Sequence, residues 1–178
     1  LVNSSVHNFS AQTPGGSLTA GSRTITMTPC PAGVNGSDTN HYLYLSAGTG
    51  TAEAALITGG TCTSNALTGT VTLTVANSHS GAWTVKSATS GIQEGLSSLG
   101  TTAACNAAGG CPGAVTVPAG TWNMYAPAYL QWSNQGVWGT PGAILNKMTA
   151  TGNLFTVASN AGSIYYNSIS GLFLQTDS

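Results

Sequence analysis

The chain has 178 residues, enough for one large domain or two small ones. Charge is its extreme feature: Lys, Arg, Asp and Glu make up 4% of residues, against roughly 25% in an average soluble domain. A surface built from Ser, Thr, Asn and Gly has no electrostatic grip on phosphate and no polybasic patch for anionic lipid. That excludes nucleic acid and the membrane surface as partners.

No window approaches the ~20 consecutive apolar residues of a membrane span. The chain opens on Leu1 without an initiator Met or a signal peptide, which reads as the product of a cleavage or a piece of something longer. So little charge also means little self-repulsion, which favours a homo-oligomer or polymer. The first 20 residues (LVNSSVHNFSAQTPGGSLTA) read as an extended arm that adds a strand to a neighbour's sheet.

Residues 21–86 read as a small antiparallel β module. Thr24–Thr28, His41–Ser46, Ala52–Thr58 and Thr70–Val75 are its strands, separated by glycine turns. Tyr42 and Tyr44 share one face, with Leu43 and Leu45 opposite. Thr70, Thr72 and Thr74 alternate with Val71, Leu73 and Val75.

The four cysteines allow three pairings. The simplest joins neighbours, Cys30 with Cys62 and Cys105 with Cys111; four buried free thiols are the alternative. If both bridges form, the loop-entropy model assigns about 3.7 kcal/mol to the longer and about 2.4 kcal/mol to the shorter. Bridges imply an oxidising compartment, hence an extracellular location: secreted, on a cell surface or on a virion. No CxxC spacing occurs, so no metal site and no cofactor are expected.

Residues 87–178 open on one helix, SGIQEGLSSLG. Ser90 is placed to cap it and Gln93 to reach back as a capping box, while Ile92, Leu96 and Leu99 form one stripe. Short strands follow at short intervals: VTV, WNM, LQW, GVWG, AILNKM, NLFTVA, SIYY and SGLFLQ. No Asn-Gly hairpin joins two of them. They fit a solenoid with coils of roughly 20 or more residues. Val137, Ile144, Leu145, Leu154, Phe155, Val157, Ile164, Ile169, Leu172 and Leu174 are expected to point inward.

The order of these elements carries a family likeness. The helix GIQEGLSSL, a Gly-rich loop, AVTVPAGTW, GVWG and ISGLFL resemble the start of a pectate-lyase-like parallel β-helix, as in phage tail-spike and glycoside-hydrolase-related β-helix proteins. The resemblance covers residues ~83–178. It implies a right-handed parallel β-helix whose first coil is plugged by the helix and whose first rung is VPAGTW. It implies no catalytic residue here: that family cleaves polysaccharide with carboxylates on the β-helix face, and this portion holds Asp177 alone, with Glu94 on the helix.

His7, His41 and His79 are scattered, and no GxSxG motif accompanies them. Trp122, Tyr125, Tyr129, Trp132 and Trp138 are dense around the first coils. They are candidates for stacking on glycan rings or for an interface, with core packing the competing reading. The functional expectation is a structural or attachment part of a tail-spike- or fibre-like appendage, self-associating and in contact with surface polysaccharide. Its alternatives are the N-terminal fragment of a secreted polysaccharide lyase or hydrolase, and a non-catalytic carbohydrate-binding module.

Overall fold

A computed structural model of the chain describes residues 11–31, 41–62, 68–99, 110–157 and 166–176, and residues 2–5 as backbone. The described residues are mainly β, with one α-helix. They fall into two compact units, Asn8–Ala88 and a discontinuous unit made of Leu1–His7 with Thr89–Ser178.

The strands of the discontinuous unit include β1 (Val2–Ser5). The other unit is a five-stranded antiparallel sheet of β2 (Gly21–Met27), β3 (Tyr42–Thr49), β4 (Glu53–Gly60), β5 (Gly69–Val75) and β6 (Ser80–Ser87), in the order β2-β5-β4-β3-β6. Strand alternation sorts its residues. Ile25, Leu43, Leu45, Ile57, Val71, Leu73, Trp83 and Val85 are buried in one core. On the other face, paired threonines bond across strands, Thr24 to Thr72 at 3.0 Å.

The edges of this sheet are closed by residues ahead of it. Gln12 exchanges both backbone hydrogen bonds with Val85 on β6, and Leu18 does the same with His79. The Gln12 side chain accepts from the Thr28 N–H at 2.7 Å and donates to the Pro29 carbonyl at 2.8 Å, just past β2. One residue thus touches β6 at one edge of the sheet and the end of β2 at the other. Cys30 and Cys62 form a disulfide. It lies against Gly69, where a Cβ would approach Cys30 Sγ to 2.9 Å. Cys111 is also disulfide-bonded, and Cys105 lies outside the described residues.

The discontinuous unit contains α1 (Ile92–Ser98), β7 (Gly113–Val117), β8 (Gly120–Met124), β9 (Ala128–Leu130), β10 (Gln135–Gly139), β11 (Ala143–Lys147), β12 (Phe155–Val157), β13 (Ser168–Ser170) and β14 (Phe173–Thr176). Its sheets run β1-β7-β10-β13, β8-β11-β14 and β9-β12, with every pairing parallel. The strands of 113–130 therefore lie beside those of 135–157 in the same order, and β13 and β14 of 168–176 follow on two of the sheets. Gly113 pairs with Gln135, 22 positions on.

Register stacks like on like. Val115 pairs with Val137 and Val137 with Ile169; Trp122 pairs with Leu145 and Leu145 with Leu174; Leu130 pairs with Val157. Val115, Val137, Leu130 and Leu145 are fully buried. Ile92 and Leu96 of α1 complete this core at the first pass. At the corners, Gly139 and Gly171 pack so closely that a Cβ on either collides with the other's carbonyl oxygen, and Gly171 has φ +68°.

Three of these expectations change here. Residues 2–5 form a strand in this chain's own sheet, and 11–18 close the antiparallel unit, where an arm onto a neighbour was expected. The helix begins after Gly91 in the left-handed region, with no side-chain cap. Thr89, not Ser90, accepts from the Gln93 N–H at 3.0 Å, because Ser90 is itself left-handed at φ 51°. Ile144 alternates with buried Ala143 and Leu145 and so faces away from the core. Ile164 lies outside the described residues.

Leu145→Ala should lower unfolding stability by about 2–5 kcal/mol, the usual cost of emptying a buried leucine site. Denaturant titration checks it: a cost below ~1 kcal/mol would contradict the stacked column.

Candidate functional site

At the start of the parallel sheets, unpaired strand edges meet side chains from the helical segment. β1 covers β7. Ser90 Oγ donates to the Asn123 carbonyl on β8 at 2.6 Å. Gln93, 2% exposed, accepts from the Tyr129 N–H on β9 at 2.7 Å. Each of the three first strands thus has a partner on its outer side, and α1 lies against β1, β7 and β9.

The opposite end is different. Ile169 is 42% exposed, Leu174 56% and Val157 60%, although each continues a column that is buried one pass earlier. Phe173 is exposed as well. β12, β13 and β14 each have a strand on one side only among the described residues. They carry no charge or proline, and their protection is their length, three, three and four residues.

The candidate aromatics are distributed over several elements. Trp122 packs partly on the core and donates Nε1 to the Pro118 carbonyl at 2.9 Å. Trp132, 8% exposed, pairs with Cys111 in a small separate cluster. Trp138 is half-buried on β10 and donates Nε1 to Ser168 Oγ at 2.9 Å. Tyr125 and Tyr129 are half-buried. These five do not form one exposed cluster.

The ionisable groups are tied to the backbone. Glu53 accepts from the Ala76 and Asn77 N–H groups, each at 2.8 Å, and lies 3.0 Å from Nε2 of buried His79. Burial pushes the Glu53 carboxyl up. The His79 hydrogen bond, the Asn77 and Ala76 N–H groups and the His79 charge outweigh it, so the group sits below its ordinary value. Its oxygens hold the β5–β6 turn, which makes the pair a clamp on the fold. Glu94 is fully buried on α1 and accepts from the Thr89 hydroxyl at 3.2 Å. His41 is buried at the start of β3, while His7, Asp38 and Asp177 lie outside the described residues. Among the described residues no three His, Cys, Asp or Glu side chains gather to hold a metal ion.

Gln12 was not singled out from sequence, Gln93 was read only as a capping-box residue, and Val157, Ile169 and Leu174, expected to point inward, are exposed. The only available signal was periodic: the inward columns continue into 168–174. The chain matches no family model, no curated protein and no solved structure.

The depressed Glu53 carboxyl implies an acid-labile antiparallel unit. Its contribution to stability is complete above the ordinary value of 4.5. It is lost as pH falls through the lower folded-state value. Glu53→Gln should lower the melting temperature at neutral pH and flatten the decline below about pH 4.5. A variant that melts like the parent from pH 7 to pH 3 would show that the clamp contributes nothing.

Proposed function

We propose that the discontinuous unit is the opening of a right-handed parallel β-helix, and that the chain is a structural, attachment part of an extracellular or virion appendage, tail-spike- or fibre-like, whose copies associate. The observation that carries this reading is the succession of parallel strands, β1-β7-β10-β13, β8-β11-β14 and β9-β12, closed at its first pass by Ile92 and Leu96 of α1. Parallel sheets are normally covered on their faces, and open edges template pairing with another chain. The capping helix, the three parallel sheets and the likeness to tail-spike proteins support the same reading. The Cys30–Cys62 disulfide is compatible with an oxidising, extracellular setting. Surface polysaccharide is the ligand class that a hydroxyl-rich, nearly uncharged surface fits.

Mass photometry and size exclusion test the structural role. The purified chain should run as an assembly larger than its 17.7 kDa monomer and should resist dilution. A folded monomer at every concentration removes the reading.

A further inference from the structure

Residues 11–20 of the antiparallel unit form a strap along the outer side of β6, bonded there at Gln12 and at Leu18. We propose that the Leu18 end of this strap is an acid-operated flap: it stays shut while the Glu53 carboxylate holds His79, and opens when that carboxyl takes up a proton, with the Gln12 end staying in place.

The two ends are fastened differently. At Gln12 four hydrogen bonds meet, the backbone pair with Val85 and the side-chain bonds to the Thr28 N–H and the Pro29 carbonyl. None of them involves a group that titrates. At Leu18 the backbone pair, at 2.8 and 2.7 Å, is made with His79. The same histidine lies 3.0 Å from Glu53 through Nε2. Between the two ends Gly15 and Gly16 are left-handed, at φ +78° and +70°, and a Cβ on either would meet nothing within 4 Å. A hinge at that point displaces no neighbour. Of residues 13–20 Leu18 alone is buried, so the flap gives up one apolar side chain when it lifts.

The trigger is a shortage of hydrogen bonds at the imidazole. His79 is 1% exposed, and its Nδ1 has no partner. The hydrogen bonds assign the ring proton to Nε2, where it is donated to Glu53. The carboxylate also accepts from the Ala76 and Asn77 N–H groups. A carboxylic acid loses the charge and part of the accepting capacity that serve these three donors. With the Glu53 bond weakened, a buried ring is left without a polar partner, and that costs more than the bond itself. Water relieves the ring, and the segment held to the His79 backbone by two bonds is the least costly one to lift. Glu53 sits below its ordinary value of 4.5, so the flap is shut above pH 4.5 and opens as pH falls through the lower folded-state value.

The other charged and titratable groups stand apart from this contact. Residues 16–20 have no ionisable side chain. Arg23 is turned onto the carbonyls of Thr19, Ala20 and Ser22. Lys86 lies over the Tyr44 ring. His41 precedes β3, where its carbonyl accepts from the Ile57 N–H. An open flap bares the backbone of His79 ahead of β6. It also frees Trp83 Nε1, which in the shut state donates to the Gly16 carbonyl at 3.2 Å.

Amide exchange followed by NMR on the whole chain, from pH 7 to pH 3 and corrected for the intrinsic rate, tests this. Below pH 4.5 the amides of Leu18 and His79 should lose at least about tenfold in protection relative to those of Gln12 and Val85. The Trp83 indole N–H should lose protection with them. Glu53→Gln cannot take up the proton, so in that variant the ratio of Leu18 to Gln12 protection should not change with pH. Measurements on the unmutated chain decide the matter even where the variant does not fold. Protection lost at Leu18 and Gln12 together would show the unit unfolding as a whole, and overturns the inference. A ratio that stays flat in the unmutated chain, or that still falls in folded Glu53→Gln, overturns it as well.

Discussion

A strand in a sheet is stable only when the N–H and C=O groups on its two sides have somewhere to go. That requirement governs both units. In the antiparallel unit Gln12 reaches the β6 edge with its backbone and the end of β2 with its side chain. In the parallel unit Ser90 and Gln93 serve β8 and β9. These are uncharged side chains, used where other proteins set Lys or Glu. The protection comes from bonds made rather than from repulsion, so it fails wherever no such side chain is in reach. At β13 and β14 none of the described residues supplies one.

The few charges follow the same logic. Arg23 folds back onto the carbonyls of Thr19, Ala20 and Ser22. Glu53 holds two backbone N–H groups. Lys86 sits 5.3 Å over the Tyr44 ring. Each is engaged within its own unit. A chain with a net charge of −1 whose charges are so engaged has weak long-range repulsion between copies. Short-range complementarity then decides what it meets.

The antiparallel unit was legible because its strands alternate cleanly. Thr70 to Val75 and His41 to Ser46 place apolar residues on one side at every second position, but the crossovers that pair β2 with β5 and β3 with β6 carry no such pattern. The helix was legible from Ile92 and Leu96. Its cap was not, since Ser-Gly-Ile reads as a capping serine whether or not the chain enters through two left-handed residues. Val2–Ser5 could not be assigned from sequence, because VNSS has no pattern of its own and its partner lies more than a hundred residues away. The exposure of Ile169 and Leu174 was hidden for a related reason. Their spacing is that of buried residues, and burial depends on what lies beyond them. The candidate aromatics are dense in sequence, and none of them is fully exposed.

The insertion of Asn8–Ala88 between β1 and α1 sets an order of events during synthesis. Residues 2–5 are translated ahead of the inserted unit, yet their partner strand β7 is made more than a hundred codons later. The antiparallel unit, whose pairings all fall within residues 12–87, is translated before that point. Among the described strands, β1 therefore waits across the longest stretch of chain for its partner.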